Sequence, residues 1–223
     1  MCAILAVLSL ASPSWLPEVQ PYLIDQGDTI TFECAAYVTE AECEVLKEIY
    51  ERNPEHAIAQ QAAMDPDNNF EVRDLEPAEV AESLRTRIGS SDSPEIILVK
   101  QGVFSPPIDA IHNARGRVQI FRIVTLDQSA EVAFLRIDSG LEGDFTVTNG
   151  PNLNLHLYLS TELNPEGGED FENEALDLGV LKGNIGRQNY DLNIDLDFQQ
   201  YRSAVIYNPD YDQIFGIAQF IEQ

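Results

Sequence analysis

The chain has 223 residues, of which 44% are hydrophobic and 23% are charged, so it can bury a core and is not a disordered polymer. Its 38 Asp and Glu residues outnumber 13 Lys and Arg residues and give a formal net charge of -25. A surface with this charge repels nucleic acid backbones and anionic lipid headgroups, so neither is an expected partner.

The first twenty residues contain a short apolar run. This run, residues 2–10, is too short to span a bilayer, which takes about 20 apolar residues. It resembles the hydrophobic part of a signal peptide, although no Lys or Arg precedes Lys47. We therefore expect residues 1–20 to be a signal peptide or the remnant of a membrane anchor, and the protein to be extracytoplasmic, either secreted or anchored in the cell envelope. The alternative is a buried element at the start of a cytosolic domain.

Two cysteines, Cys34 and Cys43, lie downstream of that run. In an oxidising compartment they can close a short disulfide loop, which stabilises a fold by about 2–3 kcal/mol in the chain-entropy model. Two free, half-buried thiols are the alternative. For an exported protein, the spacing predicts a disulfide between them.

Residues 21–94 are predicted to form a helical region that ends in a linker. Thr39 and Glu42 have the spacing of a capping box, which predicts a helix start. An apolar stripe at helical spacing follows over residues 45–50, and Asn53 with the proline after it ends this helix.

Two further helices are predicted in this region, one from residue 54 to Met64 and one from Pro77 to Ile88. Residues 89–94 are rich in Gly, Ser and Pro, which is typical of a linker. His56 belongs to the first of these two helices and is expected to be exposed to solvent.

From residue 95 onward the apolar residues follow a period of two, as expected for β-strands. The clearest strand, Leu153–Leu159, directs four leucines to one face and Asn154, His156 and Tyr158 to the other. We predict a mainly β protein, in which an antiparallel β-sandwich or barrel over residues 95–223 follows the short helical region. The other predicted strands are residues 96–99, 118–126, 131–137, 204–207 and 213–221.

The β region also contains a series of distinctive segments: Gln101-Gly-Val-Phe104, His112-Asn-Ala-Arg-Gly116, Val147-Thr-Asn-Gly-Pro-Asn-Leu153, His156-Leu-Tyr-Leu-Ser160, Leu178-Gly-Val-Leu-Lys-Gly-Asn-Ile-Gly-Arg-Gln-Asn-Tyr190, Tyr201-Arg-Ser-Ala-Val-Ile-Tyr207 and Phe215-Gly-Ile-Ala218. In order and spacing, residues 102–223 resemble the DM-thirteen domain, found in Skeletor-type animal proteins and in many exported bacterial proteins. The family-motif positions include Gly150, Pro151, Leu159, Leu181, Lys182, Gly183, Gly186, Tyr190 and Asn208.

The resemblance implies a small all-β domain, usually extracytoplasmic, for which a role in electron transfer has been proposed. In the family that role depends on a Cys directly after the Val-Ile-aromatic strand. Asn208 occupies this position here, and an Asn side chain has no thiolate and no redox couple. We therefore expect an exported or membrane-anchored module that binds a protein partner or small ligand without catalysis. The alternative is an electron-transfer module that uses a bound cofactor such as haem.

Sequence motifs assign no catalytic residue and no zinc, iron–sulfur or nucleotide-phosphate site. His112 and His156 are the candidate haem ligands, although their spacing does not support the pair.

Three aspartates, Asp191, Asp195 and Asp197, would line one face of a predicted strand and are the candidate calcium ligands. A flat strand face does not converge on an ion, so a solvated acidic face is the expected arrangement.

Overall fold

A computed structural model describes residues 23–25, 30–139, 144–168, 170 and 175–221. The predicted signal or anchor segment, residues 1–20, lies outside the described residues. The helices are α1 (Glu40–Arg52), α2 (Pro54–Ala63) and α3 (Pro77–Ile88). The strands are β1 (Leu23–Asp25), β2 (Ile30–Phe32), β3 (Glu71–Arg73), β4 (Glu95–Phe104), β5 (Ala114–Arg115), β6 (Arg117–Val124), β7 (Glu131–Asp138), β8 (Thr146–Val147), β9 (His156–Ser160), β10 (Leu176–Val180), β11 (Ile185–Leu192), β12 (Ser203–Asn208) and β13 (Gln213–Phe220).

The three predicted helices are present, and each has a local sequence signal at one of its ends. The Thr39 side chain and Glu42 form the capping box of α1. The Asn53 side chain accepts a hydrogen bond from the His56 N–H at 3.1 Å and so caps α2, while a proline occupies the first turn. Gly89 ends α3 in the left-handed conformation, with φ of 69°. None of the described helices is long and apolar enough to cross a membrane.

The mainly β prediction is confirmed by an 11-stranded sheet among the described residues, in the order β10-β9-β12-β13-β4-β6-β7-β11-β8-β5, with β3 joined to β11. The pairs along that order are antiparallel, whereas β3 lies parallel to β11. The two halves of the sheet enclose one core, because Leu157, Ala204 and Phe215 from one half pack in the same cluster as Ile120 and Leu135 from the other.

The helical region packs on the sheet at two places. Phe32, Leu46 and Ala57 form a second cluster with Ile111 from the loop after β4. Side chains of α3 cover the outer face of β6 and β7 in a third cluster, whose buried members are Ala81, Leu84, Phe121, Ile123 and Phe134. The predicted disulfide between Cys34 and Cys43 is present and ties the start of α1 to the segment that precedes it.

Two strand predictions are wrong at their boundaries. Strand β9 begins at His156 rather than Leu153, because residues 151–153 form a 3-10 turn and Asn154 adopts a left-handed φ of 54°. The alternating leucines up to Leu159 are nevertheless buried. The strand predicted to carry Asp191, Asp195 and Asp197 ends at Leu192, where the chain turns toward the 3-10 helix at residues 198–200.

Candidate functional site

Asn208 lies at the end of strand β12, the position at which the resemblance to the DM-thirteen domain implies a redox cysteine. Asn208 is fully buried there, and its amide donates a hydrogen bond to the Leu153 carbonyl oxygen. Its Oδ1 accepts hydrogen bonds from the N–H groups of Asp210, at 2.8 Å, and Tyr211, at 3.1 Å. The side chain therefore joins the β12–β13 turn to the 3-10 segment before β9, and all of its partners are backbone groups.

A buried polar cluster lies where α2 meets the β region. His112 is 3% exposed, and its Nδ1 lies 2.6 Å from Asp109 Oδ2. Gln60 is fully buried between two imidazoles, with its Nε2 2.9 Å from His56 Nε2 and 3.3 Å from His112 Nε2. The Gln60 Oε1 accepts a hydrogen bond from Asn149. The amide of Gln60 thus connects α2 with two family-motif segments.

The hydrogen-bond pattern fixes the tautomers of both histidines. Since the Gln60 amide donates to each Nε2, both Nε2 atoms are acceptors, and His112 carries its proton on Nδ1 and donates it to Asp109. Burial lowers the pKa of His56 to about 4, with further contributions from His112 and Arg52. Burial opposes ionisation of Asp109, but hydrogen bonds from His112 outweigh it and lower the pKa of that carboxyl.

The prediction that His56 is exposed is wrong. Its residue exposure is 8%, because its ring stacks on Tyr211 at a centroid distance of 3.9 Å and bonds to Gln60 on the same helix. His112 lies in the loop between β4 and β5, but its ring points into the protein and packs edge-on against Phe215. Both ring nitrogens of His112 are hydrogen-bonded, one to Gln60 and one to Asp109, and the Nε2 of His56 is bonded to Gln60.

His156 lies beside Tyr158 on β9, as its predicted position on the polar face requires. Its Nδ1 is 2.9 Å from Asp177 Oδ2, and its Nε2 is 3.2 Å from Asn154 Oδ1. Axial ligation of haem needs a ring nitrogen free to bind iron. In His112 and His156 every ring nitrogen already has a hydrogen-bond partner, so the two candidate residues do not fit haem ligation as they are placed.

The family-motif glycines contact the chain upstream of the β domain. The N–H of Gly150 donates to the Ala63 carbonyl oxygen at 2.7 Å. A Cβ on Gly183 would lie closer than 3.0 Å to the Phe70 carbonyl oxygen, and one on Gly186 would approach the Val72 carbonyl equally closely. These glycines therefore permit the close approach of residues 63–72, including the parallel pairing of β3 with β11.

The turn between Gly183 and Gly186 brings Lys182 and Gln188 together, since Gln188 Oε1 accepts a hydrogen bond from the Lys182 N–H at 3.0 Å. The Tyr190 hydroxyl donates to the same oxygen at 2.7 Å, and burial raises the pKa of this phenol. The Lys182 ammonium lies 2.8 Å from Asp74, at the edge of a cleft of about 500 Å³. Its charge is therefore already neutralised by a carboxylate.

The three candidate calcium ligands do not share a strand face. Asp191 is in β11, whereas Asp195 lies in the following turn and Asp197 caps the next 3-10 helix through the Gln199 N–H. Among the described residues there is no group of three or more His, Cys, Asp or Glu side chains placed to hold a metal ion.

A cleft of about 700 Å³ opens where β4, the 3-10 helix at residues 198–200 and the end of β13 meet. Lys100 and Arg202 contribute its two basic side chains. The Lys100 ammonium donates to the Gln199 carbonyl at 3.1 Å and to that of Tyr201, and lies 5.7 Å above the Phe220 ring. The cleft therefore combines cationic, carboxamide and apolar groups.

Sequence reasoning missed this cleft and the role of Gln60. Gln60 had one usable signal, since it lies four residues after His56 and such pairs share a helix face. The cleft had none, because its basic residues, Lys100 and Arg202, are about a hundred positions apart and only the sheet brings them together.

Comparison with known proteins gives one result. Residues 109–220 match the family described as electron transfer DM13, which is the DM-thirteen domain suggested by the motif segments. No curated protein and no solved structure matches the chain. The match covers half of the chain, and it contains both strand β12, which ends at Asn208, and strand β11, with which β3 pairs. The chain therefore belongs to the electron transfer DM13 family.

Proposed function

We propose that this chain is an exported binding module of the DM13 family that lacks thiol redox chemistry. The observation that carries the proposal is the role of Asn208. At the position of the family's cysteine, a buried carboxamide bonds three backbone groups and can neither give nor accept electrons. Residues 95–223 contain no cysteine, so no thiol elsewhere in the β region substitutes for it.

The disulfide supports an extracytoplasmic location. Disulfides persist in oxidising compartments and are rare in the cytosol. The Cys34–Cys43 bond and the apolar run at residues 2–10 point in the same direction. The proposal covers both a secreted protein and one anchored in the cell envelope.

Binding without catalysis is supported by the polar groups of the domain. The Asp109–His112 pair has the arrangement of a general base, but its second ring nitrogen is buried against Gln60 and has no access to a substrate. The cleft at Lys100 and Arg202 provides a concave surface for a ligand.

Electron transfer through a bound cofactor such as haem is the second candidate, and the family description favours it. Two measurements on full-length protein from the exported fraction separate the candidates. The first is the absorbance spectrum, in which haem gives an intense band at about 400 nm. The second is a redox titration of the Cys34→Ser, Cys43→Ser double variant, which removes the couple of the disulfide.

We expect no such band and no reversible couple in the double variant. Circular dichroism of that variant verifies that it is folded. A haem band, or a reversible couple without the two cysteines, would overturn the proposal in favour of electron transfer.

A further inference from the structure

Residues 71–76, called the strap below, lie along the edge of β11 as an added strand. Strand β3 pairs in parallel with residues 185–187, and the pairing continues where the Asp74 N–H donates to the Arg187 carbonyl oxygen at 3.0 Å. The largest apolar side chain of the strap, Leu75, is 51% exposed, and the preceding Phe70 is 56% exposed. Hydrogen bonds and charges therefore hold the strap, rather than burial of its large apolar side chains.

The strap places one carboxylate against a lysine of the family motif. Asp74 Oδ2 lies 2.8 Å from the Lys182 ammonium and accepts a hydrogen bond from the Asn189 N–H at 2.8 Å. The Asn189 side chain also donates to the Leu75 carbonyl oxygen at 2.8 Å. Burial opposes ionisation of Asp74, but the hydrogen bonds from Asn189 and Lys182 outweigh it and lower the pKa of this carboxyl. This position on the β domain therefore stabilises a carboxylate.

A second carboxylate, two residues further along the strap, lies between two arginines. Glu76 forms ion pairs with Arg187 and with Arg136, whose Nη2 lies 2.8 Å from Glu76 Oε2. Arg136 is 1% exposed, and its Nη1 donates to the Leu75 carbonyl oxygen at 2.9 Å. Its Nε is bonded to Asp138, but its buried Nη2 has no hydrogen-bond partner among the described residues and meets Glu76 as an ion pair only. The strap thus supplies the negative charge that this nitrogen faces.

The β domain supplies the basic side chains and the room for the strap. Among the described residues, the ion pairs of Lys182 and Arg187 are all with strap carboxylates. Gly183 and Gly186 lack the Cβ atoms that would collide with residues 70–72. Without the strap, the three basic side chains of this edge would keep one carboxylate from within the described β domain, that of Asp138. Such an edge fits an acidic extended segment, because backbone bonds to a strand and pairs of opposite charge can form together.

We propose that the β11 edge and its three basic side chains, Arg136, Lys182 and Arg187, form a docking site for an extended acidic segment of a partner protein. The strap occupies this site in cis and excludes the partner until it detaches. The partner segment adds a strand to β11 and presents carboxylates two positions apart, as Asp74 and Glu76 do. This assignment rests on the proposed function as a binding module and names its class of partner.

The probe is a fluorescein-labelled peptide with the sequence of residues 69–78, and its binding to the full-length protein is followed by fluorescence anisotropy. At pH 7 and about 0.15 M salt, charges of the acidic surface more than about 8 Å away are largely screened. The test protein is the Asp74→Asn, Glu76→Gln double variant, which weakens the strap. Its matched control is the Glu44→Gln, Glu48→Gln double variant, which removes the same charge from exposed positions of α1. A second peptide carries the two strap substitutions and lacks both carboxylates.

We expect the strap variant to bind the acidic peptide with a dissociation constant below about 100 μM. The wild-type chain and the α1 control should bind it at least tenfold more weakly, because the intact strap competes at a high effective concentration. The strap variant should bind the neutralised peptide at least tenfold more weakly than the acidic one. Adding Arg187→Gln to the strap variant should weaken the acidic peptide at least fivefold, whereas adding Arg87→Gln, in the exposed last turn of α3, should change it less than twofold.

Three results would contradict the proposal. Equal affinity of the wild-type chain and the strap variant would contradict occupation in cis. Equal affinity for the two peptides would contradict the role of the basic side chains. No binding to a strap variant that circular dichroism shows to be folded would contradict the docking site.

A measurement on the wild-type chain tests the strap without any variant. Hydrogen exchange is followed by NMR at the Asp74 and Asn189 amides, which bond across the strap, in about 0.05 M and about 1 M NaCl. Because the Lys182 and Arg187 side chains are partly exposed, salt should weaken their ion pairs and raise exchange of these amides at least threefold relative to those of β6. No selective rise would contradict a strap held by charges. None of these outcomes changes the absorbance and redox measurements, on which the proposed function stands or falls separately.

Discussion

Acidification should weaken the junction between α2 and the β region through His56. In the folded protein its pKa is lowered from 6.5 to about 4, first by burial and then by the nearby His112 and Arg52. As the pH falls below 6.5, the unfolded chain binds a proton at this residue before the folded chain does. The free energy of unfolding therefore has its full value above pH 6.5 and declines toward pH 4, with no further loss from this residue below that.

The size of the effect follows from the two pKa values. The interval from 6.5 to about 4 corresponds to an upper limit of about 3 kcal/mol. We expect about 2 kcal/mol, since His56 keeps some exposure to water. Protonation also removes the acceptor on Nε2 that bonds to the Gln60 amide, so the stack on Tyr211 and the bridge to His112 are disturbed together.

The assay compares the wild-type chain with His56→Gln, which keeps an acceptor near Gln60 but does not titrate. Denaturant unfolding is measured for both from pH 7 to pH 4, and subtracting the two curves cancels the carboxylates, including Asp109, that also protonate over this range. The chain has only 3 histidines, so NMR can follow each ring directly. A constant difference between the two proteins across this range, or a His56 midpoint near 6.5, would refute the reasoning.

Three further predictions concern stability, each measured by denaturant unfolding at pH 7. Gly186→Ala should destabilise by about 2 kcal/mol more than Gly179→Ala, because both glycines have positive φ but only the first would place its Cβ against a β3 carbonyl; equal losses would contradict the docking of β3. Asn208→Ala should cost about 1–3 kcal/mol, because it leaves the buried Leu153 carbonyl without its donor and removes two part-buried hydrogen bonds, and a loss below about 0.5 kcal/mol would show that these groups find other partners. Replacing Cys34 and Cys43 by serine should cost about 2–3 kcal/mol, the same amount that a reducing agent removes from the wild-type chain, whereas no response of the wild-type chain to reductant would mean that the bond is absent.

Local sequence signals were sufficient for the helices. The capping box at Thr39, the proline after Asn53 and the pattern over residues 77–88 each act within one or two turns, so they predict α1, α2 and α3 from the neighbouring residues alone. The period of two likewise predicted a mainly β region, because alternation reflects the two faces of any strand.

The boundaries of the strands were harder to predict from the sequence. The leucines alternate from Leu153, but the backbone there is a 3-10 turn followed by the left-handed Asn154 rather than a strand. A turn can direct leucines into the core without extended backbone, so the alternation alone did not locate the start of β9. The polar and apolar residues from Asp191 to Asp197 also alternate, yet among the described residues no strand pairs with the part after Leu192.

Burial and long-range contacts were decided only by the tertiary structure. His56 has an ordinary helical context, and its burial comes from Tyr211, a residue more than 150 positions away in the sequence. The parallel pairing of β3 with β11 and the meeting of Lys100 with Arg202 likewise join distant segments. A sequence pattern reflects the preferences of residues that are close together in the chain. These contacts form between residues that are far apart in the chain, so no local pattern predicts them.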